Sequence, residues 1–335
     1  MERLLAESDA SGLEFVTAET VTIMRRYFMQ ANEISKSDAS PGLPADISVS
    51  VVIATYDRPD SLHKCLRSLL AQQTSRSIEV IVVDNHPASH LTPPVLAEFP
   101  EVIFVNEPRQ GLSYARNAGI VASKGEIIIT TDDDVSMPSC WLEKLVTPFV
   151  RDDVMVVTDN VLPIELETPA QKLFELYGGL QRGFRRQEAD GNWFESFKRC
   201  AVPTWELGST ANAAFRASLF SDSQIGLFDE ALGAGTATGC SEDTYLFYKA
   251  LKGGYTILYE PEAYVWHQHR RDISDLRRQI YSYSKGHVAY HLTTLMRDRD
   301  RRSLLRLMVD LPLWHLRRIK QWVGGRRSYP LSLCG

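Results

Sequence analysis

Three adjacent carboxylates, Asp132, Asp133 and Asp134, close the apolar β-branched run Glu126-Ile-Ile-Ile-Thr-Thr. Like charges packed this closely are tolerable only where solvent or a cation reaches them, and their oxygens select hard divalent ions such as Mg2+ or Mn2+. Such ions bind through one or two carboxylates plus the phosphates of a substrate. If extended backbone persists through the triplet, Asp132 and Asp134 point the same way, so that Asp134 can hold a metal while Asp132 or Asp133 holds a ribose. The bland alternative is a solvated acidic turn. A second constellation, Ser241-Glu242-Asp243-Thr244, reads as a helix start with Ser241 as N-cap. Asp243 shares a helical stripe with Leu246, Phe247 and Ala250, so its carboxylate is expected to face inward, where it can serve as a general base. Acids in a first turn are equally explained by the helix dipole. A third, His267-Gln-His269 after Tyr264-Val265-Trp266, puts two imidazoles on one side of an extended segment, where one can complete a metal's coordination or meet a diphosphate. Arg109 before Gly111, and Arg116 beside Asn117, offer guanidinium groups to phosphate, although helix arginines are usually solvated.

The elements that must position these residues alternate in type. Val49–Ala54, Glu79–Val83, Val102–Val105 and Glu126–Thr131 read as strands. Ser61–Gln73, with Leu62, Cys65, Leu66, Leu69 and Leu70 on one stripe, and Gly111–Ser123 read as helices. Such alternation implies right-handed crossovers and a largely parallel sheet, whose ligands collect at the strands' carboxyl ends. Thr55-Tyr-Asp57, Asp84-Asn85 and the triplet all stand at such ends. Farther on, Trp141–Phe149 and Glu242–Lys252 read as helices and Val154–Thr158 and Tyr255–Tyr259 as strands, while 168–203 gives no clear pattern. An apolar-periodic segment, Leu13–Met29, and a Ser, Asp, Pro and Gly-rich linker, Ser35–Asp46, precede the sheet. After His269 the chain turns helical and basic, and Leu304–Val323 mixes Leu, Met, Trp314 and Trp322 with Arg306, Arg317, Arg318 and Lys320. Pro312 should kink it. The expected division is therefore an extension over 1–46, a main α/β domain over 47–270 and a basic helical region over 271–335.

With 335 residues, 44% of them hydrophobic and 24% charged, the chain has the composition of a globular protein able to bury its own core. A net charge of −5 argues against coating nucleic acid as its main business. Cys65, Cys140, Cys200, Cys240 and Cys334 are odd in number and widely spaced, which suits a reducing compartment. The N-terminus lacks the order of a signal peptide, and no apolar run approaches the about 18 residues of a spanning helix. A cytoplasmic location follows, with the inner face of a membrane as its one elaboration. No GxxxxGK[ST], GxSxG or HExxH occurs, and Gly233-Ala-Gly235 falls outside a strand-to-helix turn.

Read in order, Val51-Val-Ile-Ala-Thr55-Tyr-Asp57-Arg-Pro, Glu79-Val-Ile-Val-Val-Asp84-Asn85, Gly111-Leu-Ser-Tyr-Ala-Arg116-Asn117-Ala-Gly119, Thr131-Asp132-Asp133-Asp134, Asn212-Ala-Ala-Phe-Arg216, Phe228-Asp229-Glu230, Ser241-Glu242-Asp243-Thr and His267 resemble the motifs of family 2 glycosyltransferases. The resemblance covers about Ser48 to His269. It implies the GT-A fold, an α/β Rossmann-like and mostly parallel sheet flanked by helices, here with helical N- and C-terminal extensions. It implies inverting transfer of a sugar from a nucleoside-diphosphate sugar, with UDP-sugars favoured, to a hydroxyl of a carbohydrate or lipid-linked acceptor in cell-envelope polysaccharide or glycolipid synthesis. By the same resemblance Thr55, Asp57 and Asp84 form the nucleobase pocket, and Arg116 supports base or phosphate. Asp134, with Asp132, is the metal-binding DxD element, and Asp132 and Asp133 contact the sugar nucleotide. Asp243 is the base, and His267 reaches metal or diphosphate. Two departures, Ala54 where Pro is common and Asp84-Asn85-His86-Pro87 where Asp-Gly-Ser is common, leave the nucleobase open. Acceptor contacts are expected from 168–205, where Trp193 and Trp205 either stack on sugars or pack in the core. The C-terminal region suits either a membrane interface or packing on the catalytic domain. Two readings compete: an inert sugar-nucleotide-binding protein, and a nucleotidyltransferase, which the missing Gly-rich triphosphate loop disfavours.

Overall fold

The computed structural model of the protein describes residues 43–323. The segment Leu13–Met29 and nearly all of the 1–46 extension lie outside the described residues, as do the residues after Val323. The first half forms β1 (Val49–Thr55), α1 (Pro59–Leu70), β2 (Ile78–Asp84), α2 (Thr92–Leu96), β3 (Ile103–Asn106), α3 (Leu112–Ala122) and β4 (Ile127–Asp132). Strands β1, β2 and β4 are β-branched runs largely buried on both faces, as a helix-covered parallel sheet requires, while the edge strand β3 is mostly exposed. Helix α1 begins on Pro59, whose missing N–H costs nothing at a first turn, and it buries Leu62, Cys65, Leu66 and Leu69. Leu70 departs from expectation and is exposed. At about 100° per residue it stands roughly 90° from the centre of the buried stripe.

The sheet runs β3-β2-β1-β4-β8-β6-β9-β5, with β7 (Gln187–Ala189) pairing with β9. Its first four strands are parallel. Beyond them it is mixed rather than parallel, because β8 (Asn212–Arg216) returns antiparallel between β4 and β6 (Val154–Pro163), and β5 (Val135–Ser136) runs antiparallel to β9 (Thr256–His267). Antiparallel neighbours need no helical crossover, so the strand-helix alternation that predicted parallel pairing is lost here. Both β6 and β9 outrun their expected ends at Thr158 and Tyr259. They lie parallel with irregular register around Asp159/Val161, and their long ends carry the chain to His267.

The other helices of the described residues, joined by long irregular stretches, are α4 (Trp141–Val146), α5 (Pro169–Leu176), α6 (Gly191–Ser196), α7 (Ser218–Ser221), α8 (Glu242–Lys252), α9 (Ile273–Asp298), α10 (Arg301–Leu305) and α11 (Leu311–Val323). Helix α5, in the stretch without sequence pattern, has a capping box in which Thr168 and Gln171 satisfy each other's backbone. Helix α9 seats Leu276 and Ile280 against Ala170, Phe174 and Tyr177. Its Tyr290 hydroxyl donates to the Val202 carbonyl at 3.0 Å. A π turn over Arg306–Asp310 precedes Pro312, the second residue of α11, and a widened turn of this kind accommodates the N–H that proline lacks.

Candidate active site

Register brings the strand ends together. Thr55 lies opposite Asp84, and Ala54 lies opposite Asp132. Strand β4 ends at Asp132, so Asp133 and Asp134 occupy a turn and do not continue the alternation on which a shared direction was predicted. Convergence arises differently. Val135 pairs with His267 across β5 and β9, and the Gln268 N–H donates to the Asp134 carbonyl at 3.0 Å. Asp132, Asp134 and His267 thereby present ligand atoms within 4.8 Å of one another.

Within the triplet the roles diverge. Asp133 is a brace: its Oδ2 accepts from Thr55 Oγ1 at 2.7 Å and its Oδ1 from Arg58 at 2.9 Å. Burial, with Asp134 and Asp132 nearby, pushes its carboxyl up to about 6. Arg58 also donates to Asp134 Oδ2 at 2.7 Å. Burial opposes ionisation of Asp134 as well, but the charges of His267 and Arg58 hold its carboxyl well below the usual range. His267 Nε2 stands 3.2 Å from Asp134 Oδ1, an ion-pair distance, while that buried oxygen receives no hydrogen bond. A carboxylate oxygen left without a donor beside an imidazole nitrogen and a second carboxylate fits a divalent cation with mixed O and N ligands.

Helix α3 reaches the site through Arg116, which is 2% exposed. Its guanidinium donates to Glu242 Oε1 at 2.8 Å, to Asp132 Oδ1 at 2.9 Å and to Thr210 Oγ1 at 2.6 Å. It thus ties the triplet to the start of α8. Asn117 donates to the Phe228 carbonyl, and Arg109 pairs with Glu107 over the Tyr114 ring. Ser241 does not cap α8 by its side chain; it adopts φ 82°, a left-handed conformation that turns the chain into the helix. Glu242 is buried, and Asp243 is half-buried with Oδ1 engaged by the Thr244 N–H and hydroxyl at 2.6 and 3.1 Å.

One cavity of about 810 Å3 joins these groups, lined by Thr55, Arg116, Asp132, Asp133, Asp134, His267 and Asp243. Of the predicted residues, Asp57 and Asp84 are not in its lining. Asp57 takes φ 55° and binds His86 Nδ1 at 2.7 Å, while Asp84 is fully buried and accepts from the His86 N–H at 2.9 Å. Their neighbours Tyr56 and Asn85 line the cavity instead, with Tyr56 stacked on His86 at 4.9 Å between ring centroids. Asn85 explains its place after Asp84: its amide spans the Glu107 and Arg109 carbonyls and the Gly111 N–H, fixing the entry to α3. Trp205 lines the cavity edge-on to His287, and Trp193 packs on Phe197 away from it. Helix α9 also lines the cavity, through residues such as Arg278, Gln279, Ser282 and Tyr283. Sequence reasoning missed Arg58, whose only signal was a cation directly after the Thr55-Tyr-Asp57 strand end. It missed the burial of Glu242 altogether.

A mixed sheet flanked by helices, with carboxylates at the ends of its parallel strands and a facing acidic helix start, is the GT-A class of fold. The profile of Glycosyl transferase family 2 matches residues 50–221, just over half of the chain. The chain belongs to that family. It is 27% identical over 256 residues to the pre-mycofactocin glycosyltransferase of Mycobacterium tuberculosis, covering 74% of this chain and 49% of that protein. It thus spans about half the length of that relative. Against the glycosyltransferase AglE of Haloferax volcanii it is 26% identical over 274 residues, 80% of each chain. The succinoglycan biosynthesis protein ExoO of Rhizobium meliloti is 26% identical over 254 residues, 71% of this chain and 66% of that one. The mannosyltransferase PcManGT of Pyrobaculum calidifontis, solved with GDP-Man and Mn2+, superposes with a TM-score of 0.53 at 18% identity, over 85% of this chain and 74% of that one. That is a likeness of fold alone.

Proposed function

We propose that the protein is an inverting, metal-dependent glycosyltransferase that moves a sugar from a nucleoside-diphosphate sugar to an acceptor hydroxyl in cell-envelope polysaccharide or glycolipid synthesis. The observation that carries this reading is the single cavity shared by Asp132, Asp134, His267 and Asp243 in a chain of this family. The names of ExoO and of the GDP-Man and Mn2+ complex of PcManGT support the substrate class and the cation.

Asp134, Asp132 and His267 would hold Mg2+ or Mn2+, which when bound neutralises charge developing on the leaving diphosphate. Arg58 keeps Asp134 ionised and directed at that position. Tyr56 offers a ring beside the strand ends for the nucleobase, with Thr55, Asp57 and Asp84 supporting the turn beneath it, and Asp132 is better placed for the ribose than the fully engaged Asp133. Asp243 accepts the proton of the acceptor hydroxyl as its oxygen attacks the anomeric carbon from the face opposite the diphosphate. The anomeric C–O bond breaks, and the nucleoside diphosphate leaves with the electron pair. Arg116, spent on Asp132 and Glu242, aligns donor and base rather than touching phosphate.

Lipid-linked acceptors gain support from the C-terminal helices. Met296, Met308 and Leu316 are 77%, 70% and 60% exposed, with Leu304, Leu305, Val309 and Leu313 exposed beside them. Arg299, between α9 and α10, and Arg301 and Arg317 on α10 and α11 are exposed as well. Apolar residues amid arginines suit the surface of an anionic membrane.

The test is a panel of UDP- and GDP-sugars with Mn2+, read first as thermal stabilisation and then as transfer. One donor class should stabilise the protein only with the cation, and Asp134→Ala should abolish the shift. A panel without any cation-dependent shift would sink the reading, as would an Asp134→Ala protein with full transfer.

A further inference from the structure

Behind the cluster of Asp132, Asp134 and His267 runs a chain of contacts that the reading above leaves unused. His267 Nδ1 lies 3.1 Å from His269 Nδ1, and His269 Nε2 lies 2.7 Å from Glu175 Oε1. The side chains of His269 and Glu175 are only 1% and 2% exposed. The His269 ring is gripped edge-on by Phe174, one residue before Glu175 on α5, at 4.8 Å between centroids. Over the Glu175 carboxylate passes Gly179 at φ +55°, where a Cβ would come within 2.4 Å of Oε1. Glycine therefore lets the backbone close directly over that carboxylate, and the Gly178-Gly179 pair has this packing to account for it.

The contacts have a direction. An ionised carboxylate only accepts, so His269 Nε2 carries the proton of that bond. A neutral imidazole has one N–H, which leaves His269 Nδ1 as a lone pair and makes His267 Nδ1–H the donor across 3.1 Å. The remaining nitrogen of His267, Nε2, faces Asp134 Oδ1 at 3.2 Å, paired with that carboxylate when protonated and presenting its lone pair when the ring is neutral. In the neutral ring these two electron-rich atoms repel unless a cation lies between them, so a bound divalent cation takes the place of the Nε2 proton. A hydrogen-bond acceptor behind the free N–H orients metal-ligating histidines generally, and here that acceptor is His269, itself fixed by the Glu175 carboxylate.

We propose that Glu175 and His269 are positioning residues that hold His267 in the Nδ1–H tautomer, aiming Nε2 into the cavity as a ligand for a divalent cation. The proposal rests on the metal reading given above. It adds that α5, from the stretch without sequence pattern, is part of the metal site although none of its side chains touches the ion. If the protons instead ran the other way, with His267 Nε2–H donating to Asp134, His267 would be a brace for that carboxylate and no ligand.

The experiment titrates Mn2+ alone into the full chain and follows free Mn2+ by electron paramagnetic resonance. Wild type is compared with His267→Ala, Glu175→Gln, His269→Gln and Phe174→Leu. Glu175→Gln keeps the shape of the buried group and offers His269 a donor. It should weaken Mn2+ binding about 10- to 100-fold, as loss of such outer partners does elsewhere. His269→Gln should do the same. Phe174→Leu, which loosens the packing but keeps both hydrogen bonds, should stay within about threefold, which separates positioning from general loss of structure. Should His269→Gln fail to fold, Glu175→Gln and Phe174→Leu carry the comparison. Unchanged affinity in Glu175→Gln beside a weakened His267→Ala overturns the proposal and leaves the metal reading standing. A wild type that binds no Mn2+ into the millimolar range overturns both.

Discussion

Glu242 and Asp243 are chemically alike and adjacent, and the fold gives them opposite work. Asp243 borders the cavity, where an acceptor hydroxyl can reach it, whereas Glu242 is buried against the Arg116 guanidinium. Asp243→Asn keeps size and shape and removes only the proposed proton acceptor. Transfer should fall by about 10²- to 10⁴-fold, while donor affinity, measured by calorimetry with Mn2+, should change little. Burial and the neighbouring Asp243 push the Glu242 carboxyl from its ordinary 4.5 up to about 7. A raised carboxylate binds more protons in the folded than in the unfolded chain throughout that window, so its contribution to stability is complete below 4.5 and is lost as pH rises through about 7. Glu242→Gln cannot titrate. Thermal melts at about pH 5 and about pH 8 should differ less in this variant than in wild type, and an equal difference would show that another group sets the slope.

Helix α3 matters because it brings Arg116 to the sheet at close range. At Gly119 an added Cβ would meet Val52 Cγ1 at 2.3 Å and Val83 Cγ2 at 3.1 Å, on β1 and β2. Gly119→Ala must therefore lift the helix or distort two buried valines, at a cost of about 1–3 kcal/mol in denaturant melts. Because the shift moves Arg116, transfer should fall by more than the loss of folded protein explains. In the other half, the pairing of β5 with β9 plays the corresponding part. It is a two-residue strand, too short for any periodic signal, yet it sets Asp134 beside His267. Helix periodicity located α1, α3 and α8 from the sequence, since apolar spacing is a local property. The same logic failed for β5, β7 and α5, where length is short or polar capping does the work that apolar spacing does elsewhere.

For the molecule as a whole, the cavity wall formed by α9 and the exposed apolar side chains of α10 and α11 belong to one continuous C-terminal segment. An acceptor held at a membrane would then enter along the helix that lines the site. Replacing Met308 and Leu316 together by Glu should abolish flotation with anionic vesicles, leave the melting temperature unchanged and spare transfer to a water-soluble acceptor analogue. Flotation equal to wild type would remove the membrane reading without touching the catalytic one.

The acidic triplet, the order of strands and helices up to β4 and the start of α8 at Glu242 were legible in the chain, because strand ends, helical stripes and residue types are written locally. Tertiary structure alone decided which carboxylates act as braces and which stay open to a ligand. Asp133 is spent on Thr55 and Arg58, Glu242 is desolvated beside Arg116, and Asp134 meets His267 only through a strand pairing between distant segments. Burial and long-range contact set the charge and freedom of each group, and neither is a property of a residue's neighbours in sequence.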